Sequence, residues 1–148
     1  MRTKLRPKVA AAVVAVTAGV VLALFASSGP AVAFFSGGLF LDVQVESPAS
    51  LVARGAAVDV PLEVTCNATG TVFVDVTVTQ KAGSGVAQGF GSTQVGCAGS
   101  GEQINVRVQA SAAKTFKQGT AVASAEVFGC NRTTCGNETD SQTIDIKK

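Results

Sequence analysis

Four cysteines and no histidine set the chemistry open to this chain. Without histidine there is no Ser-His-Asp or Cys-His nucleophile pair and no imidazole ligand for a metal. Thiolate zinc sites draw their ligands in close pairs a few residues apart, and Cys66 and Cys97 are not spaced that way. The cysteines therefore read as two disulfides of an oxidising compartment. Three pairings exist; we favour Cys66–Cys97 with Cys130–Cys135. Paired carboxylates can hydrolyse glycosides, but Asp42, Asp59, Glu63 and Asp75 alternate with apolar residues and fall on solvated strand faces. Asn137, Glu138 and Asp140 offer oxygens without the alternation of a calcium loop. Gly83-Ser84-Gly85 and Gly89-Phe90-Gly91 read as loop glycines, with no helix following to hold a phosphate. The expectation is no enzyme: no catalytic residue, no metal and no cofactor.

Binding chemistry is what remains. Asn131, Arg132, Thr133 and Thr134 lie between two cysteines and form a candidate binding loop. Phe73 interrupts a polar strand face, Phe90 lies between glycines and Phe128 is near a strand end; together they form a candidate apolar patch. Three Asn-x-Thr triplets begin at Asn67, Asn131 and Asn137. They are glycosylation acceptors in a eukaryotic secretory route and turn chemistry in a bacterium.

The elements that must position these residues centre on Ala56 to Gln80. Val58, Val60, Leu62, Val64 and Cys66 occupy one face of a first arm, and Val72, Val74, Val76 and Val78 one face of a second. Side chains of a strand point to opposite faces in turn, so each arm has one buried face. With Asn67-Ala68-Thr69-Gly70 as the turn, the two arms read as a hairpin. Pro61 cannot donate to a ladder, which predicts an edge or a bulge there.

Further strands are expected over Leu39 to Glu46, broken by Ser47-Pro48-Ala49, with Leu51-Val52 a short edge piece. Others fall over Ile104 to Gln109, Thr120 to Gly129 and Gln142 to Lys147. Val86 to Cys97 holds one weak strand or two short ones, Ala110 to Gly119 a helical turn, and Cys130 to Ser141 a loop. About seven strands in one domain from residue 34 to 148 predict an all-β, immunoglobulin-like antiparallel β-sandwich. A small barrel is the alternative.

Residues 1–33 read as a signal peptide. Arg2, Lys4, Arg6 and Lys8 precede an uncharged apolar run from Val9 to Ala26, and Ala31-Val32-Ala33 is the small-x-small pattern before cleavage. The protein is expected outside the cell, cut after Ala33, touching membrane only through an uncleaved leader. The leader holds four of the twelve basic residues, so the remainder carries eight basic against ten acidic, a net −2 instead of +2. No basic stripe survives for nucleic acid. The Ala/Val-rich leader and scarce Lys suit a bacterium of high GC content.

The run Cys130-Asn131-Arg132-Thr133-Thr134-Cys135, followed by a Gly/Asn-containing loop and a closing strand from Ile144 to Lys147, resembles the neocarzinostatin-type chromoprotein apoproteins. That resemblance implies an immunoglobulin-like sandwich with two disulfides and an apolar ligand in a cleft. In that family the other disulfide also closes a short loop, whereas Cys66 and Cys97 lie far apart. The expected role is a secreted, non-catalytic module acting through its loops on a protein, a cell-wall polymer or a small apolar ligand. One alternative is a chromoprotein-like carrier, with Phe90 and Phe128 converging on a pocket. Another is a protease inhibitor presenting Arg132.

Overall fold

Strand β1 (Leu41–Val45) buries Val43 and Val45, and the chain then turns at the cis peptide bond between Ser47 and Pro48 into β2 (Ala49–Val52). The structure, a computed structural model, describes residues 38–111 and 114–148; the expected leader lies outside them. Six more strands follow: β3 (Ala57–Cys66), β4 (Thr71–Ala82), β5 (Gly85–Gly96), β6 (Glu102–Ala110), β7 (Gly119–Cys130) and β8 (Cys135–Lys147). The only helical element among the described residues is a single 3-10 turn over Ala53–Gly55, and no helix there is long and apolar enough to cross a membrane.

The all-β class and the two buried faces are as expected. The even-numbered residues of β3 from Val58 to Cys66, and Val72, Val74, Val76 and Val78 of β4, are all buried. Ala121, Ala123, Ala125 and Val127 of β7 complete the same core. Close packing of such small and β-branched side chains is what lets strands approach across a thin interior.

The arrangement differs from two separate antiparallel sheets. Hydrogen bonding runs round a closed ring, β3-β2-β8-β7-β4-β5-β6 and back to β3, with β1 lying beside β3 next to β2. One pair in the ring, β2 with β8, is parallel. Two joints of the ring are only two residue pairs long: β2–β8 at Ala49↔Ile146 and Ser50↔Lys147, and β5–β6 at Gly89↔Ala110 and Phe90↔Gln109. The ring is closed, but narrowly.

The expected hairpin of β3 and β4 is absent. β3 pairs with β1, β2 and β6, while β4 pairs with β5 and β7. Residues 67–70 carry the chain across the core, so that the two valine faces meet instead of lying side by side. Alternation reports which face is buried and is silent on the hydrogen-bonded neighbour.

Pro61 sits on a strand paired on both sides, not on an edge. Its carbonyl accepts the Glu46 N–H at 3.0 Å, on the side where β1 has ended and β2 begins at Ala49. The missing donor falls in that gap in the ladder.

β5 is one regular twelve-residue strand. Gly89 and Gly91 face inward on it, where side chains would collide with the carbonyl oxygens of Gln109 and Arg107 on β6. They are glycines of close approach, not loop glycines. β8 begins at Cys135, so most of the stretch expected as a loop is strand.

No helical turn is described after β6. The chain instead lays Phe116 into the core, 1% exposed. Gln80, the only buried polar residue described, holds this segment. Its Nε2 donates to Lys117 O at 2.8 Å and its Oε1 accepts the Lys117 N–H at 2.8 Å. Gln80→Ala is expected to lower stability by about 1–3 kcal/mol, because the Lys117 amide loses its partner. A urea titration checks it.

Candidate functional site

The register brings three loops to one end of the domain. Cys66 ends β3, Thr71 opens β4 opposite Gly96 of β5, Glu102 opens β6 opposite Val64, and Cys130 ends β7 opposite Cys135. Loops 67–70, 97–101 and 131–134 therefore lie together. Both disulfides are at this end. Cys66–Cys97 joins β3 to the residue after β5, with Cα atoms 5.4 Å apart, and Cys130–Cys135 closes the β7–β8 hairpin, with Cα atoms 4.0 Å apart.

Hydrogen bonds tie the loops to one another. Thr69 N–H donates to Cys130 O and Cys97 N–H to Gly70 O. Within 131–134, the Asn131 N–H donates to Thr134 O at 2.8 Å, while its Oδ1 accepts the Thr134 N–H at 2.8 Å and the Thr133 N–H at 3.0 Å. Asparagine bonding to its own following backbone is ordinary turn chemistry. The result is a short loop fixed from within, with Arg132, Thr133 and Thr134 exposed.

Asn67 does comparable work. Its Oδ1 accepts the Phe40 N–H, its Nδ2 donates to Gly38 O at 2.8 Å, and its own N–H donates to Phe40 O at 3.1 Å. The incoming chain is thus held against the loop end, with Phe40 53% exposed. Asn137 donates to Glu126 at 2.8 Å. The asparagine of each Asn-x-Thr triplet thus has a hydrogen-bonding role in the fold.

A concavity of about 410 Å³ opens at this end between β1 and β8, lined by Leu39 to Asp42 and Gly136 to Glu138. Lower down, side chains bridge the two strands. The Asp140 carboxylate accepts the Val45 N–H at 2.8 Å, and the Ser47 hydroxyl oxygen accepts the Asp145 N–H at 3.1 Å. Asp140 gave no sequence signal for this role.

Phe73, Phe90 and Phe128 share the outer face of β5-β4-β7, each about half exposed. Phe73 and Phe128 are direct cross-strand partners. Phe90 sits opposite Thr77, four residues further along β4, roughly 13 Å away. The structure does not bring Phe90 and Phe128 together, because β4 lies between their strands.

No protein-family model matches this chain, and no curated protein matches it. Among solved structures it is similar to AggA, the major subunit of aggregative adherence fimbriae type I from Escherichia coli. The likeness has 12% identity and a TM-score of 0.40, over 74% of this chain and 95% of that one.

Of the carboxylates considered for chemistry, Asp42 and Glu63 lie on neighbouring strands, Asp42 opposite Thr65 and Glu63 opposite Gln44. Asp59 makes a two-pronged ion pair with its cross-strand partner Arg107, both contacts 2.8 Å. That hydrogen bonding holds the Asp59 carboxyl below its ordinary value, opposed by burial and helped by the Arg107 charge. Asp75 faces outward beside Glu126 and Ser92. Among the described residues no group of three or more His, Cys, Asp or Glu side chains is placed to hold a metal ion.

Proposed function

We propose that this chain is a secreted, non-catalytic module that binds a protein or a cell-wall polymer through the loop end closed by its two disulfides. The carrying observation is the convergence there of loops 67–70, 97–101 and 131–134, with the last one locked by Asn131 and by Cys130–Cys135. A loop already held in shape loses little freedom on binding, and loops on a rigid scaffold are where binding residues sit. Two disulfides suit an oxidising compartment outside the cytoplasm. In this reading the strands fall into the two groups of an immunoglobulin-like sandwich, β1, β2, β3 and β6 against β4, β5, β7 and β8, the narrow joints marking where one group passes into the other.

The separation of Phe90 from Phe128 does not favour the apolar carrier. The protease-inhibitor reading gains an exposed Arg132, but that residue sits in a turn closed on itself, whereas protease clefts take extended chain.

The test is a binding panel of isolated wall polymers and secreted proteins, measured with the wild type and with Arg132→Ala. The variant leaves the Asn131 hydrogen bonds in place. Binding that falls with Arg132→Ala at unchanged melting temperature supports the loop end. Binding unaffected there but lost in Phe73→Ser places the partner on the sheet face and overturns the reading.

A further inference from the structure

β5 has an open edge. It pairs with β4 along all its twelve residues, but with β6 only at Gly89 and Phe90. Two hydrogen bonds fix which backbone groups face outward. Gln88 O accepts the Ser111 N–H, on the side away from β4, and Cys97 N–H donates to Gly70 O, on the side of β4. Even-numbered residues therefore aim their N–H and C=O away from β4. Beyond the joint with β6, Ser92, Gln94 and Gly96 aim three donors and three acceptors away from β4, and the ladder with β6 does not extend to them.

The other edges are guarded. On β1 the Val45 N–H is taken by Asp140, and on β8 the Asp145 N–H by Ser47. β6 carries the charged residues Glu102 and Arg107, and its ladder to β3 runs from Glu102 to Gln109. Charges, prolines and side-chain caps are how sheets avoid edge-to-edge pairing. Residues 91–96, Gly-Ser-Thr-Gln-Val-Gly, have no charge and no proline.

We propose that this edge pairs with the same edge of a second copy, antiparallel about a two-fold axis, to join two domains through a continuous sheet. The available groups select the register. Gln94 faces Gln94 of the other copy and Ser92 faces Gly96, so six hydrogen bonds form and Phe90, already bonded to β6, is left alone. The match follows from the strand itself. Ser92 and Gln94 are exposed on one face, while Thr93 is half-buried and Val95 buried on the other. A partner strand must share that alternation, and a second β5 does so. Antiparallel self-pairing of a neutral strand sets no like charges opposite one another. Space is also present: a side chain at Gly96 would meet nothing within 4 Å. On the outer face Gln94 lies beside Phe73, and Phe73 beside Phe128. The two-fold axis would thus run two aromatic pairs into one row, which gives the exposed phenylalanines a shared surface. This inference does not depend on the loop end.

Sedimentation velocity of the purified protein from micromolar to millimolar concentration tests it, with Gln94→Pro and Gln94→Lys. Proline at 94 removes a donor that faces away from β4 and so spares the β4 ladder. The wild type is expected to reach twice the monomer mass, and Gln94→Pro to remain monomeric with the monomer's melting temperature kept. Gln94→Lys places like charges on the axis, so its dimer is expected to be lost at low salt and partly recovered at high salt. A wild type that stays monomeric throughout overturns the proposal, including the case in which the edge takes a strand of another protein. A dimer that persists in Gln94→Pro overturns it too. Should Gln94→Pro fail to fold, a low-salt Gln94→Lys dimer as strong as the wild type's is the overturning result.

Discussion

Val74→Asp is expected to yield no folded protein, while Asp75→Val, one residue along the same strand, folds normally. Val74 is fully buried between Thr93 of β5 and Val127 of β7. An aspartate there has no partner for its charge and can escape burial only by protonation or by unfolding the sheet. Burying an unpaired charge ranks with the largest single-residue penalties, on the order of 4–5 kcal/mol or more, against a typical total stability of about 5–15 kcal/mol. Asp75 is exposed and directly opposite Glu126. Replacing it removes a like-charge apposition and adds a β-branched side chain, so its melting temperature should equal or slightly exceed the wild type's. Circular dichroism melts of the two variants check this. Similar melts would mean that β4 is turned over by one residue.

That experiment reads the part of the structure written most plainly in the sequence. The alternation in β3, β4, β6 and β7 names the buried face residue by residue, because those strands bury valine, alanine and leucine against water on the other side. The same pattern does not name partners. Asn67-Ala68-Thr69-Gly70 is turn chemistry whether the chain doubles back or crosses the core, so β3 and β4 read as a hairpin and are not one.

Two further elements are hidden for opposite reasons. β5 lacks apolar inward residues at Gly89 and Gly91 because the β6 backbone occupies the space where side chains would be. The first half of β8 carries Gly136, Glu138, Asp140 and Gln142 on the face it shares with the core residues of β7. Here Glu138 and Gln142 are exposed, and Asp140 accepts the Val45 N–H of β1 in place of apolar packing. A polar strand of this kind has no hydrophobic period and reads as a loop. Phe116 is hidden as well, since its burial depends on Gln80, a residue far away in sequence that pins Lys117. In the candidate site, the cysteines flag the 131–134 loop. Its meeting with 67–70 and 97–101 follows only from the crossing connection that alternation cannot show.

The two disulfides make the same distinction between local and long-range information, and they should differ in energy accordingly. Cys66→Ser with Cys97→Ser opens a link of 31 residues and is expected to lower stability by about 3–4 kcal/mol. The location sharpens the effect. At the loop end β5 and β6 have parted, since their ladder is confined to Gly89 and Phe90, so the bridge is a covalent tie between β3 and the β4–β5 pair where backbone bonds are lacking. Cys130→Ser with Cys135→Ser releases a link of only five residues, inside a hairpin that β7 and β8 already hold through twelve register pairs. Its expected loss is about 2 kcal/mol or less, with the domain still folded. Each pair is replaced together so that no free thiol can exchange. Urea denaturation of the three proteins measures the order. If the Cys130/Cys135 variant proves the less stable, the hairpin depends on its staple more than its ladder implies, and the loop 131–134 cannot be treated as a rigid surface resting on an independent scaffold. If the order holds and only the Cys130/Cys135 variant loses a binding partner, stability and recognition reside in different bridges at the same end of the molecule.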